Sequence, residues 1–459
     1  MRTRRLGVLA LFAIAAATLG PASAGGGNET GFDTARAPQL IPEPGSGTTI
    51  DPILSTGDIV GGYQMSGIPD GLGAYKDNHN NLVVMMNHEL GRTFPALPPN
   101  VDARISRVVI NRKNRTVQSA RYAFTGAEGF ERFCSSTLEV VNGTPYYFTG
   151  EEAIGVNPLV GHDGSSIVMN AETGQWRETP HFGHLNHENV VPVERIKKFM
   201  VVTTDDDFRI GQPAYMFAYI ADSFDAAVSG DPTRGSLYVW RATNPAHVDL
   251  LKGQTIAGEF VPIPQSENSD STELKAAATA RRAFRFARLE DAATAQQKAG
   301  RIYFTDTGKA GENNINGALY QMDIDPSDPT QASLTLLLDS DTGDNIRRPD
   351  NLDTSPHSVV IQEDGGQNRV LVYDIGSGAV RVVARTPNPL WESSGVINAQ
   401  TLLGEDWWLM DVQAHPPAGN PPAFLAPQPG AFYGPDGQPI PNTGLGEDGQ
   451  LMAVHIPNS

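Results

Sequence analysis

The sequence predicts an all-β fold of the propeller type, with blade-like sheets around a central metal site and few short helices in insertions. Three observations lead there. Strand-like runs of four to eight residues, rich in Val, Ile, Tyr, Phe and Trp, recur along the chain, while helical periodicity is sparse. Turn chemistry separates them, with 47 glycines and 34 prolines in 459 residues. Several apolar runs also end in acidic tips: 82-LVVMMNHELG-91, 148-FTGEEA-153, 185-LNHENV-190, 286-FARLED-291 and 347-RRPDNL-352.

At the N-terminus, Arg2, Arg4 and Arg5 precede the apolar run 6–20 and a Pro21-Ala22-Ser23-Ala24 cleavage pattern, which predicts a signal peptide over residues 1–24. The run is too short for a membrane span, which needs about twenty residues. Arg4-Arg5-Leu6 suits the Sec or the twin-arginine route, so export to a periplasmic or extracellular location is expected. The Gly/Pro-rich segment 25–50 reads as an extended leader, and 51–459 as a single propeller domain. Strands are predicted at 106–117, 145–150, 198–207, 235–242, 300–308, 317–325, 369–385 and 406–413. Tight-turn residues lie at Asn142-Gly143, Asp364-Gly365-Gly366 and Gly376-Ser377-Gly378. The best helical stretch is 271–300, opened by a Ser271 cap and closed by Gly300.

The spacing of the tips selects a propeller among all-β folds. Glu89 and Glu151 are 62 residues apart, Glu290 and Asp350 are 60, and the 102-residue gap from Glu188 to Glu290 leaves room for a further blade. An innermost strand of each blade, the apolar run of 82-LVVMMNHELG-91 for one, would point its tip at the channel. Singly, each tip has an ordinary reading: Asn87-His88-Glu89 as turn chemistry, Arg288 and Glu290 as a surface ion pair, Asp205-Asp206-Asp207 as a solvated turn. Their recurrence is what favours a centre. Two carboxylates about 4 Å apart repel by about 4 kcal/mol at an effective dielectric near 20, so a shared cation is expected. Oxygen ligands favour calcium, with Asn87, Asn189 and Asn351 able to add carbonyls and His88, His187 and His415 able to support the ligands.

The net charge of −18 disfavours nucleic acid and anionic membranes as partners. One cysteine, Cys134, excludes an intramolecular disulfide and reads as a buried structural thiol. No nucleophile elbow, phosphate loop or dinucleotide fingerprint stands in a suitable context, and Ser135 and Ser136 read as a turn.

Eight ordered motifs resemble the PhoX-type alkaline phosphatases: 69-PDGLGAY-75, 82-LVVMMNHELG-91, 133-FCSSTLE-139 with 148-FTGEEA-153, 181-HFGHLNHENVVPV-193, 203-TTDDDFRIGQPAYMFAYI-220, 235-GSLYVWRA-242, 288-RLEDA-292 with 301-RIYFTDTG-308, and 349-PDNL-352. The resemblance covers most of the mature chain. It implies a six-bladed β-propeller, an exported, monomeric enzyme, hydrolysing small phosphate monoesters at a centre of calcium and iron. It implies metal ligands at Glu89, Glu151, Glu152, Glu188, Glu290 and Asp350. Glu188 and Glu290 would also serve catalysis, and Arg288 would hold the phosphate. His415 sits where the family carries a Gln-His-Pro motif. The family's iron-bridging cysteine falls at Gly150, so calcium is the expected metal and iron lacks its thiolate. Two alternatives stay open: a calcium-dependent lactonase or esterase using His88, His187 or His415 as base, and a non-catalytic propeller tied together by calcium.

Overall fold

The computed structural model describes residues 31–91, 103–125, 128–153, 163–365, 367–415 and 448–459, with the backbone alone at 432–433 and 439–440. The predicted signal peptide lies outside the described residues. Within 31–459 the chain is all-β, its long strands arranged in antiparallel sheets like propeller blades. Four sheets have four or five strands. Pro69–Lys76 opens the first, Phe133–Val141 the second, Pro349–Thr354 the third and Glu392–Asn398 the fourth. A nine-stranded sheet begins at His187–Pro192 and ends at Leu289–Thr294, its two halves joined where Thr255–Ile263 pairs with Gln331–Asp339.

These six strands form a closed ring: each contacts the next, and Glu392–Asn398 returns to Pro69–Lys76. Leu82–His88 is therefore the second strand of its sheet, not the innermost. All seven of its residues are buried because it is covered on both faces. Val84 and Met86 pack in one cluster with Leu409 and Leu451 of the last sheet, and Val83 and Met85 in another with Tyr147 and Ile167 of the next. Neighbouring sheets thus bury one another's apolar faces, and the axis is met by the ring strands and by the ends of the strands paired with them.

The predicted leader instead enters the fold. Ile41–Pro42 pairs with Val380–Arg385, Gln39 and Leu40 are buried, and Thr49–Ser55 pairs with Asp448–His455, closing the ring between the chain's two ends. The long helical stretch also shortens. Only Ser271–Ala280 is α-helical, capped by Asp270, whose side chain accepts from the Glu273 N–H, and 289–294 is a strand.

One irregularity repeats six times. Between Pro69 and Leu72 the ring strand has one more residue than its partner has between Met86 and His88. The same three-against-two step occurs at 133–136, 187–190, 289–292, 349–352 and 393–396. A bulge turns side chains that would otherwise alternate across the sheet. Here it sends the first bulged residue of each ring strand toward the axis. Packing at these points is tight: a Cβ on Gly71 would stand 2.5 Å from Cys134 O and the Ser136 nitrogen. Gly71→Ala is accordingly expected to destabilise the protein by about 1–3 kcal/mol, read as a lower denaturant midpoint.

Candidate metal centre

The first bulged residues are Asp70, Cys134, Glu188, Glu290, Asp350 and Ser394. One residue beyond the partner of each bulge's opening residue, on the second strand, stand Glu89, Glu152, Asp206, Thr307, Asp364 and Gln413. Two equivalent positions for each ring strand therefore supply the centre. Among the described residues, three groups bring donor atoms within 4.8 Å of one another: Asp70, Glu89 and Cys134; Cys134, Glu152 and Glu188; Glu188, Glu290 and Asp350. Cys134 and Glu188 each belong to two groups.

Five of the six expected ligands are thus brought together: Glu89, Glu152, Glu188, Glu290 and Asp350. Glu151 is not. Its Oε1 accepts from the Glu131 N–H at 2.9 Å and its Oε2 from the Ser165 N–H at 3.0 Å. Side chains on a strand alternate, so of two adjacent glutamates only one can face the axis. The position of Glu151 is structural in other sheets as well. Asp306 accepts from the Ala287 N–H and Glu363 from the Arg347 N–H, each two residues before a ring strand.

Two arginines lie among the acids. Arg132 bridges Glu89 at 3.2 Å and Glu152, which lies closer still. Arg288 grips Asp206 with Nε at 2.8 Å and Nη2 at 2.6 Å, and its Nη2 reaches Glu290 at 3.2 Å. What reads in sequence as a surface pair is therefore buried on its acidic side, Glu290 being 1% exposed. The run Asp205-Asp206-Asp207 is buried too, with Lys275 Nζ 2.8 Å from Asp205 and 2.6 Å from Asp207.

Burial dominates the electrostatics. It pushes the carboxyls of Asp70, Glu188, Glu290 and Asp350 well above the usual range, and neighbouring acids add to it. Glu152 rises to about 8 despite Arg132, and Glu392 to about 7. The thiol of Cys134 is likewise pushed up by burial and by Glu152, and donates to Glu152 Oε2 at 3.3 Å. Cys134 is therefore part of the acidic centre and not an inert core thiol. At Gly150, by contrast, a Cβ would meet His187 Cβ at 2.6 Å, so this backbone is packed against a histidine.

The donor set fits a cluster of divalent cations. Six carboxylates converge against two guanidinium groups, and only added positive charge can keep them ionised together. Acceptors without donors are also present at its edge: among the described residues Asn351 Oδ1 and Gln413 Oε1 have no hydrogen-bond partner, on residues 2% and 1% exposed. A buried orphan acceptor costs about 1–3 kcal/mol, which coordination would offset. The oxygen atoms suit calcium, and the thiol admits a softer metal such as iron.

The other candidates take supporting places. Asn87 Oδ1 accepts from the Tyr147 hydroxyl at 2.9 Å and Asn189 Oδ1 from the Val190 N–H at 2.6 Å, so the carbonyl oxygen that a metal would need is already engaged in each. His88 is bonded to Gly67 O and Ser106 Oγ, and burial lowers it to about 3. His187 is bonded to Gly183 O, and burial lowers it to about 4. His415 is part-exposed, 3.5 Å from Glu392.

Asp70, Arg132 and Gln413 carry no site expectation in the sequence analysis, and Ser135 and Asp206 read there as turn residues. Ser135 is no idle turn residue: it donates to Glu188 at 2.7 Å and accepts from Asn351 at 2.7 Å across the axis. A usable signal was present. 69-PDGL-72 and 349-PDNL-352 are near copies, and Asp70 to Glu89, Cys134 to Glu152 and Glu188 to Asp206 are separated by 19, 18 and 18 residues.

No family model and no curated protein matches this chain. Solved structures similar to it include an α-L-arabinofuranosidase from Lactobacillus brevis, at 11% identity over 69% of this chain and 90% of that one, with a TM-score of 0.32. A thermostable family-43 glycoside hydrolase matches at 11% identity, covering 72% of this chain and 98% of that one, with a TM-score of 0.35. The Cps50 (Swd1) β-propeller domain from Myceliophteria thermophila matches at 8% identity over 74% and 93%, with a TM-score of 0.37. Likeness at this level carries no chemistry across.

Proposed function

We propose that the protein is a six-bladed β-propeller and an exported, metal-dependent hydrolase of small phosphate monoesters, in the manner of the PhoX-type phosphatases that its motifs resemble. The nine-stranded sheet is then two blades joined through Thr255–Ile263. One observation carries the reading: equivalent positions of successive sheets converge as three adjoining donor groups beside two arginines.

Phosphoryl transfer asks for positioned positive charge and an in-line nucleophile, with little covalent help from protein. Calcium ions, with iron admitted by Cys134, would supply that charge and a water of lowered pKa when bound. Glu188 and Cys134, shared between groups, would hold adjoining ions together, and Ser135 orients Glu188. Arg288 is fixed by Asp206 and Glu290, while its Nη1 has no protein hydrogen bond among the described residues. That edge is suited to a phosphate oxygen. The lactonase reading loses two of its three candidate bases, since His88 and His187 are buried, neutral and engaged away from the cluster, and only His415, 3.5 Å from Glu392, is left to it.

The test is hydrolysis of p-nitrophenyl phosphate before EGTA treatment, after it, and after calcium return, beside a lactone panel. Loss and recovery of phosphatase activity is expected. Undiminished activity in fully chelated protein, or turnover of lactones alone, would overturn the reading.

A further inference from the structure

We propose that Phe208 is the wall of a subsite for the organic part of the substrate, so that the preferred esters carry an aromatic or large apolar group beside the phosphate. The inference rests on the phosphate-ester reading. Phe208 lies two residues after Asp206, the residue that grips Arg288. Its ring lies 5.8 Å from the guanidinium carbon of Arg132, which itself spans Glu89 and Glu152. An aromatic face, 43% exposed, thus stands beside the donor cluster.

A single exposed phenylalanine is ordinary. The way this one is anchored is not. Asp207 receives Lys275 Nζ at 2.6 Å and a two-point contact from Arg209 at 2.7 and 2.9 Å. Lys309 Nζ donates to Asp207 O at 2.7 Å and to Gln212 O at 2.6 Å, tying both ends of the turn. Lys275 and Lys309 are 7% and 6% exposed. Burying an ammonium group costs several kcal/mol unless it is well paired, so two of them fix this turn firmly. Yet the turn packs little of its own apolar surface: Ile210 beside Phe208 is 83% exposed. A rigid mount for an aromatic ring reduces the ordering cost of binding, and the adjacent guanidinium favours stacking on that ring.

The experiment measures equilibrium binding of phenylphosphonate and methylphosphonate to the calcium-loaded full chain, in wild type, Phe208→Ala and Phe208→Tyr. These probes share a head group and differ in the ring. Wild type should prefer the phenyl compound by about tenfold, the upper range for one aromatic pair. Phe208→Ala should lose that preference with Tm and methylphosphonate affinity unchanged, and Phe208→Tyr should keep it. Equal binding by wild type, or preference retained in Phe208→Ala, overturns the subsite and leaves the phosphate reading standing. Binding of neither probe overturns both. A Phe208-dependent preference without hydrolysis of any ester sustains the subsite and sinks the hydrolase reading.

Discussion

Glu188→Gln is expected to lower kcat/KM for a phosphate monoester by about a hundred- to a thousandfold and to reduce bound calcium, with the fold intact. That range is what removal of one preorganised charge-stabilising group costs in other enzymes. Glu188 belongs to two of the three donor groups, so losing its charge weakens adjoining ion sites together. The isosteric amide still accepts from Ser135 and keeps the bulge filled, so packing is preserved. Glu151→Gln is the matched control. It is one residue from Glu152, yet its two oxygens accept from backbone N–H groups; an amide can satisfy only one of them, so the variant should lose stability while the folded protein keeps its metal. Elemental analysis of both variants decides. Full metal in Glu188→Gln, or loss of metal in Glu151→Gln, would show that the donor groups are wrongly drawn.

Stripping the metal should reverse the pH dependence of stability. Burial raises Glu152 from 4.5 to about 8 and Glu392 to about 7, and Asp70, Glu188, Glu290 and Asp350 move the same way. A carboxyl whose folded pKa is raised is bound to its proton more tightly in the native state. Its contribution is complete below the unfolded value near 4.5 and is lost as pH climbs toward the folded value near 8. The chelated protein should therefore melt about 5 °C or more higher at pH 5 than at pH 8. With calcium bound the trend should run the other way, because protons and cations compete for the same oxygens. Thermal scans of chelated and calcium-loaded protein at the two pH values provide the check. Chelated protein that is more stable at pH 8 would mean the acids do not share one buried space.

Much of the fold was legible because apolar strands announce themselves. Segments such as Tyr146–Phe148, Val201–Val202 and Trp407–Met410 are rich in β-formers bounded by turns, and they are strands. The ring strands were harder. Pro69–Lys76 contains two glycines, Phe133–Val141 opens with Phe-Cys-Ser-Ser, and Pro349–Thr354 carries Asp-Asn-Leu-Asp, so none has the alternation that marks a half-buried strand. They are strands because both neighbours hold them and their polar residues line a shared axis. The carboxylates were likewise visible as a recurrence, but their partners were not. Arg132 to Glu152 and Arg288 to Asp206 are pairings that strand order makes, not proximity in sequence.

The sequence by itself determined an all-β chain with acidic residues returning at intervals of a sheet, since strand propensity and turn chemistry are local properties. Only the tertiary structure decided which of two adjacent glutamates faces the centre, that the lone thiol joins it, and that a three-aspartate run is buried. The reason is geometric. A one-residue bulge, repeated in six strands that close on one another, sets side-chain direction, and no local pattern encodes where a ring of strands will converge.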